Sequence, residues 1–564
     1  MSTSTAPQRQ RLDAPRLARA RQALAADGQL TKVYVELGFA SEDEALRAVA
    51  ESLGYPFAEA GALEVDTAML KDFPLKLIHR HGVFPLGRQQ DSLRVAISNP
   101  FDLEGLDAMS AATGLSVTPV VISPDDLGTL VKTHLGVGSE TIDILSQRQR
   151  DEPGGVEVVD DQPWDHSGEA DAAQEASVVR LVNEILVEAV EARASDIHLE
   201  SQADGIKIRY RIDGVLQTQP APPEIHHFHA AIIARLKIMS RLNIAENRVP
   251  QDGRIKLKLS GREVDVRVSI IPMLYGEGIV MRILDKDRMR FSLRGVGMDA
   301  DVYEEFLRLI QLPHGILLVT GPTGSGKTTT LYSALNEIKN EATKIITTED
   351  PIEYHLDGIN QIQVHPKVGL TFASSLRSIL RHDPDVILVG EIRDLETAES
   401  AIQAALTGHL VFSTLHTNDA ASSFLRMVDM GLEPFLVCST VEAVMAQRLV
   451  RTLCPECRQP STPGPGELPE DFPVEDLLSN GRTIYRAVGC RSCRGTGYRG
   501  RLGIFELLAA NDEIRRLAGE RAPTNVIKQA AIRAGMRTLR QDGWHKVRRG
   551  QTTIEEVLRV TKVD

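Results

Sequence analysis

Gly315-Ile-Leu-Leu-Val-Thr-Gly-Pro-Thr-Gly-Ser-Gly-Lys-Thr328 is the stretch that decides the fold. Its first six residues read as an apolar strand, and residues 329–339 read as a helix. Between them stands the spacing of a phosphate-binding loop, in which a glycine-rich turn joins a strand to a helix. Gly321, Gly324 and Gly326 let the backbone curl so that successive N–H groups face a phosphate, with Pro322, Thr323 and Ser325 completing the loop. Lys327 places a positive charge on the outer phosphates, Thr328 can offer its hydroxyl to Mg²⁺, and Thr329 lies in the first turn of a helix whose N-terminus favours anions. A chance glycine-rich turn would account for neither the strand before it nor the helix after it. The expectation is an ATP-binding and ATP-hydrolysing protein with ATP and Mg²⁺ as cofactors.

Outward from the loop, Asp385-Val-Ile-Leu-Val-Gly-Glu391 reads as a buried strand that delivers Glu391 at its C-terminal end. Ligands of open α/β sheets bind at that end. A carboxylate there can hold Mg²⁺ or polarise an attacking water. Ile345-Ile-Thr-Thr-Glu-Asp-Pro-Ile-Glu-Tyr354 is a second short strand ending in an acidic cluster, Glu349, Asp350 and Glu353. It reads as the source of a water-positioning base or, more plainly, as an acidic surface turn shaped by Pro351. Thr407-Gly-His-Leu-Val-Phe-Ser-Thr-Leu-His-Thr417 places His409 and His416 at the two ends of a further strand, where a histidine can sense phosphate or serve structure alone. Cys454-Pro-Glu-Cys457 and Cys490-Arg-Ser-Cys493 each present two thiolates from one tight turn, which together suit tetrahedral Zn²⁺; redox or free thiols are the alternatives. Four protein ligands would make the site structural, with no open catalytic position. The remaining cysteine, Cys438, lies in apolar surroundings and reads as a core residue.

The whole chain has 564 residues, 42% hydrophobic and 25% charged, which suits several soluble domains. A formal charge of −13 argues against sequence-independent nucleic-acid binding and against adhesion to an anionic membrane by bulk charge. No stretch approaches the roughly 18 apolar residues of a membrane span, and residues 1–30 lack a signal-peptide core, so a cytoplasmic protein is expected. Residues 1–60 read as a helical module, with Pro15 in a first turn and Ser41 with Glu44 as a capping box. Residues 61–137 read as a small α/β module with strands at 92–98 and 115–122, and 138–174 as a flexible, turn-rich linker. Residues 175–288 read as an α+β domain with a helix at 176–192 and period-two strands at 206–212, 254–259, 264–270 and 279–284. From 289 to 564 helices and strands alternate around the phosphate loop, and 510–564 is helical.

Several motifs together resemble a known family. They are Arg193-Ala-Ser-Asp-Ile-His-Leu-Glu200, Arg248-Val-Pro-Gln-Asp-Gly-Arg254, the phosphate loop, Glu349-Asp-Pro-Ile-Glu353 and Glu391. Thr414-Leu-His-Thr417, the double CxxC and Gly497-Tyr-Arg-Gly-Arg-Leu-Gly503 complete the set. In this order they resemble the secretion-superfamily ATPases, which include the assembly ATPase of type II secretion and the extension ATPase of type IV pili. The resemblance implies a RecA-like ATPase domain with a zinc-binding insertion at 450–497, preceded by a PAS-like α+β domain and a small docking module. It implies a homo-hexamer with Glu353 as water-activating carboxylate, Glu391 as an atypical Walker B acid sharing Mg²⁺ with Thr328, and His416 as γ-phosphate sensor. Arg267 and Arg282 of the preceding domain, with Arg377 and Arg381 of the ATPase domain, match phosphate-contacting positions. Some relatives bind cyclic di-GMP through an Arg-Leu-Gly motif and a later Gln. Here the stretches read Val33-Tyr-Val-Glu-Leu-Gly38 and Glu51-Ser-Leu-Gly54, so cyclic di-GMP is disfavoured. Docking to inner-membrane platform proteins is the expected use, with the chain cytoplasmic and attached to the membrane through them. The C-terminal stretches 536–543 and 552–561 lean toward type II secretion over pilus extension, and the absence of nucleic acid is expected. A nucleotide-sensing scaffold and a nucleic-acid-translocating ring are the readings from other classes.

Overall fold

The computed structural model describes residues 12–562, apart from 28, 32, 71, 72, 74, 90, 137, 140, 143–167, 260, 261, 286–290, 465 and 475–482. It divides into two compact units, Met1–Leu284 and Asp285–Asp564. No helix of the described residues is long and apolar enough to cross a membrane.

The first unit begins with helices Ala14–Asp27 and Glu42–Leu53. Ser41 Oγ accepts from the Glu44 N–H at 3.2 Å, and the Glu44 carboxylate accepts from the Ala40 N–H at 3.1 Å. Ser41 thus caps the helix, while the Glu44 bond reaches Ala40, one residue before the N-cap, so the box read from the sequence is only half formed. Strand Ser92–Ile97 pairs antiparallel with Val83–Gln89 and parallel with Ser116–Val121. Leu24, Leu46 and Val49 of the helices are buried in one cluster with Phe84, Val95 and Val121 of these strands. The helices of residues 1–60, read from the sequence as their own module, thus share a core with the strands. Helices this short need such a surface to bury their apolar faces.

A second core in this unit lies on a six-stranded sheet. Its order is Val215–Gln219, Gly205–Ile212, Ala194–Gln202, Gly276–Asp285, Arg262–Met273, Gln251–Leu259. Helices Gly168–Glu191 and His229–Met239 bury Leu181, Ile185 and Ile232 with Ile197, Tyr210, Val266 and Met281 of the sheet. The first of these helices starts at Gly168 and not at 176. Its opening Gly-Glu-Ala-Asp-Ala-Ala-Gln-Glu is rich in helix formers but carries no apolar period to betray it. Most of the linker read at 138–174 lies outside the described residues.

The second unit is built on a seven-stranded sheet. Its order is Asn360–Gln363, Ile345–Glu349, Val386–Val389, Leu410–Leu415, Gly315–Thr320, Val441–Leu453, Tyr498–Ala509. All neighbours pair parallel except the last two, which form a long antiparallel ribbon. Ile345–Glu349, Val386–Val389, Leu410–Leu415 and Gly315–Thr320 are buried along their whole length. Helices cover both faces of such a sheet, so its strands read as unbroken apolar runs. That pattern also hid Val441–Leu453, which the sequence left unassigned: most of its residues are buried and it lacks clean alternation. Residues 454–497 are inserted between the two ribbon strands and contain the small hairpin Gln459–Ser461 with Ile484–Arg486.

Four helices finish the chain, Asp512–Gly519, Thr524–Arg533, Leu539–Arg548 and Ile554–Val560. The third is tied to the start of the unit by buried charge. Lys546, 1% exposed, donates to Asp299 and, at 2.7 Å, to the Gly297 carbonyl. Arg549 reaches the same Asp299 oxygen at 2.7 Å, and Arg537 lies 3.6 Å from the other. Burial alone would raise the Asp299 carboxyl, but the three cations outweigh it and hold it below its usual range. Removing one partner of a buried pair strands the other in a poorly solvating interior. Asp299→Ala is therefore expected to destabilise the second unit by about 3 kcal/mol, and adding Lys546→Met to restore most of that loss. Urea unfolding of the full chain reads both; an Asp299→Ala midpoint equal to wild type would show that the pair anchors nothing.

Candidate active site

The phosphate loop leaves the end of strand Gly315–Thr320 and enters helix Lys327–Ile338. Gly321, Gly324 and Gly326 take φ of 145°, 79° and 91°, conformations that L side chains rarely adopt. Space enforces two of them. A Cβ on Gly321 would stand 2.6 Å from the Gln447 carbonyl, and one on Gly326 would stand 2.8 Å from Gln447 Nε2. Gln447 is itself held by the Thr330 hydroxyl at 2.9 Å. Lys327 Nζ donates to the carbonyls of Gly321 at 2.7 Å and Pro322 at 3.1 Å. Burial lowers the Lys327 pKa, Arg448 adds to that, and the Glu391 charge opposes it. Ser325 Oγ is buried with no hydrogen-bond partner among the described residues, inside a loop of close-set N–H groups. A curled backbone, a half-buried ammonium and an orphaned hydroxyl together fit a polyphosphate.

The acidic motifs arrive at the same edge. Strands Ile345–Glu349, Val386–Val389, Leu410–Leu415 and Gly315–Thr320 are successive parallel neighbours, so the segments after them leave from one end of the sheet. Glu391 follows the second of these strands and His416 the third. They meet with His416 Nε2 3.1 Å from Glu391 Oε2, while Arg393 Nε lies 2.7 Å from the same oxygen. Glu391 is mostly buried between the two. Its strand end is fixed from below by Thr414 Oγ1, which donates to the Gly390 carbonyl at 2.8 Å.

Glu349 and Glu353 part company. Glu349 is buried and accepts from Tyr332, from Thr347 Oγ1 at 2.5 Å and from Gln361 Nε2 at 3.1 Å. Its lone pairs are occupied by protein, so it holds the strand end in place. Tyr332 sits on the helix that follows the phosphate loop. Burial, with the Glu349 charge, pushes its pKa far up, and the backbone of Glu353 and Tyr354 also reaches its hydroxyl. The Glu353 segment is thus fastened to the phosphate-loop helix, and Glu353 itself is half-buried.

The arginines are distributed differently. Arg377 is exposed on helix Phe372–Ile379 and pairs with Glu396 at 2.6 Å, while Arg381 donates to the Arg377 carbonyl at 2.9 Å. Arg267 and Arg282 belong to the first unit, where Arg282 Nε bonds Asp196 Oδ1 at 3.1 Å. His409 is turned to its own helix end, 2.9 Å from the Ala404 carbonyl, and serves structure. Sequence reasoning missed Arg393 and Gln447. The first was available, since Glu391 and Arg393 are two apart in extended chain and can share a face. The second was not, because it comes from a distant strand.

The four paired cysteines converge. Their Sγ atoms all lie within 4.8 Å of one another, with closest separations of 3.7 and 3.8 Å. Zn–S bonds of about 2.3 Å in a tetrahedron place sulfurs about 3.8 Å apart. Backbone N–H groups of Cys490 and Gly497 each point at Cys493 Sγ at 3.1 Å, and that of Gly489 at Cys457 Sγ at 3.4 Å. Burial would raise the Cys493 thiol, but these donors bring it down to about 7. The donor set fits Zn²⁺. Cys438 stands apart, half-buried, its thiol raised by desolvation.

The profile of the family described as "Type II/IV secretion system protein" matches residues 171–559, and that of the MshEN domain matches residues 53–140. The chain is 43% identical over 560 residues to the type II secretion system protein E of Xanthomonas campestris pv. campestris, covering 98% of this chain and 97% of the relative. It is 52% identical over 394 residues to the type II secretion system protein E of Aeromonas hydrophila, covering 70% and 77%. The type IV pilus assembly ATPase PilB of Myxococcus xanthus is 41% identical over 531 residues, covering 94% and 93%. A phosphate loop, an acid–histidine pair and a cysteine cluster in this order, with these matches, mean that the chain belongs to the type II/IV secretion system ATPase family and stands with its type II secretion members.

Proposed function

We propose that this chain hydrolyses ATP to drive pseudopilus assembly and protein export in type II secretion. It would work as a homo-hexamer at the cytoplasmic side of the inner membrane, held there by platform and docking proteins through the N-terminal modules read at 1–60 and 61–137. The observation that carries this reading is the Glu391–His416 contact at the sheet edge where the phosphate loop opens. In it, Lys327 and the loop N–H groups hold the outer phosphates, exchanging the Gly321 and Pro322 carbonyls for phosphate oxygens. Thr328 and Glu391 would hold Mg²⁺, which neutralises charge between the outer phosphates. His416, touching Glu391, senses the γ-phosphate. Glu353 accepts the proton of the attacking water. Arg267, Arg282, Arg377 and Arg381 are assigned to the charge of the transferring phosphoryl group, which arginines stabilise most where water is excluded. Arg282 would first exchange Asp196 for that partner. Cys454, Cys457, Cys490 and Cys493 would hold structural Zn²⁺. The match to PilB along most of the chain keeps pilus extension as the second reading.

Steady-state phosphate release from the purified full chain tests the site. Lys327→Ala and Glu353→Gln are each expected to lower kcat about a hundredfold or more, with ATP binding retained only in Glu353→Gln. Release equal to wild type in Lys327→Ala would remove the motor reading. Metal analysis is expected to find one zinc per chain in wild type and almost none in Cys490→Ser, whose thermal midpoint should also fall because metal binding is coupled to folding. A Cys490→Ser chain with unchanged midpoint and no zinc in wild type would overturn the zinc assignment.

A further inference from the structure

Glu506 is a carboxylate that the site described above leaves unused. It lies on strand Tyr498–Ala509 and is 1% exposed. Thr320, Ala446 and Glu506 stand in register on three neighbouring strands, so their side chains leave the sheet on one face. Thr320 ends the strand that carries the phosphate loop, and Ala446 between it and Glu506 is small and fully buried. Both flanking side chains reach the same loop. Thr320 Oγ1 accepts from the Thr417 N–H at 2.9 Å and lies 2.6 Å from the Thr417 hydroxyl. Glu506 Oε1 accepts from the Ala420 N–H at 2.8 Å. Between these points Arg448 Nη2 donates to the Asn418 carbonyl at 2.9 Å. The segment that immediately follows His416 is therefore hung from three anchors, and its far end hangs on Glu506. The second Glu506 oxygen accepts from the Leu539 N–H at 3.4 Å, at the first turn of helix Leu539–Arg548. Burial pushes the Glu506 carboxyl up, while the Ala420 N–H and the Lys528 charge pull it down. A buried carboxylate costs free energy that an apolar residue would spare, and among the described residues its hydrogen bonds come from backbone N–H groups of two distant segments, with the Lys528 charge nearby.

We propose that Glu506 is a positioning residue for the ATPase reaction: by fixing residues 417–420 to the C-terminal helices it sets His416 against Glu391. This rests on the reading of His416 and Glu391 as the sensor and the Walker B acid. His416 is exposed, and among the described residues Glu391 is its side chain's hydrogen-bond partner, so the register of its loop decides where the imidazole points. The link to Leu539 also means that a movement of the C-terminal helices would be felt at His416, and the reverse.

Steady-state phosphate release against ATP concentration, on the full chain, tests the proposal. Glu506→Leu removes both acceptors at similar volume, and its kcat is expected to fall about tenfold or more, since small misplacements of a reacting group are costly. KM for ATP should stay within about twofold, because the phosphate loop is untouched. Glu506→Gln keeps one acceptor but faces the other N–H with a donor, and an intermediate fall of about threefold is expected. Should Glu506→Leu fail to fold, Glu506→Gln decides alone. An unchanged kcat, or a rise in KM with kcat kept, overturns the proposal. His416→Ala separates the two levels. If His416→Ala leaves kcat unchanged, the sensor reading fails first. If His416→Ala is impaired and Glu506→Gln and Glu506→Leu are not, only the role of Glu506 fails. The double variant His416→Ala/Glu506→Leu is expected to be no slower than His416→Ala, and additive losses would show that Glu506 acts by another route.

Discussion

The structure of the second unit depends on one constraint, the parallel register of Gly315–Thr320 between Leu410–Leu415 and Val441–Leu453. Parallel pairing makes neighbouring strands end on the same side, and full burial of Gly315–Thr320 and Leu410–Leu415 leaves their ends as the places where polar chemistry can be exposed. The phosphate loop, Glu391 and His416 are consequences of that register. So is the position of Gln447, whose backbone and side chain crowd Gly321 and Gly326 so closely that a methyl group would not fit. A slip of one residue in the central pairing would turn Thr320 away from Thr417 and break the fastening of the loop beyond it.

Charge is used in two ways in this unit. At the sheet edge, Glu391 faces the Arg393 guanidinium and the exposed His416 imidazole, partners that nucleotide could displace. In the core, Asp299 with Lys546 and Glu506 with two backbone N–H groups are closed pairs that tie distant parts of the chain together. Open pairs suit a cycle in which nucleotide comes and goes, since each exchange trades one charged partner for another at small net cost. Closed pairs suit anchoring, because breaking them strands a buried charge. With a metal bound, the cysteine cluster would belong with the closed group, holding the base of the insertion between the two ribbon strands, which contains the small hairpin Gln459–Ser461 with Ile484–Arg486.

Much of this was legible in the residues. Gly321 to Thr328 and the two CxxC turns carry their chemistry within short spans, and the phosphate loop upstream is what makes the strand ending in Glu391 readable. The capping pair Ser41 and Glu44 was likewise local, and so were the period-two strands of the first unit. Other features were hidden because they carry no local pattern. The helix from Gly168 begins with polar helix formers, and Val441–Leu453 is a buried run without alternation. Glu349 and Glu353 look alike in sequence, yet one is spent on Tyr332, Thr347 and Gln361 and the other is left half-exposed.

The sequence by itself determined that this chain has a phosphate loop, a carboxylate at a strand end and two CxxC turns, because each is a matter of residue type at fixed short spacing. Only the tertiary structure decided which carboxylate meets His416, which glutamate is structural, and that Gln447 and Glu506 reach the loops around the site. Those contacts join residues far apart in the chain, and their existence depends on strand order and register, which no short stretch of sequence encodes.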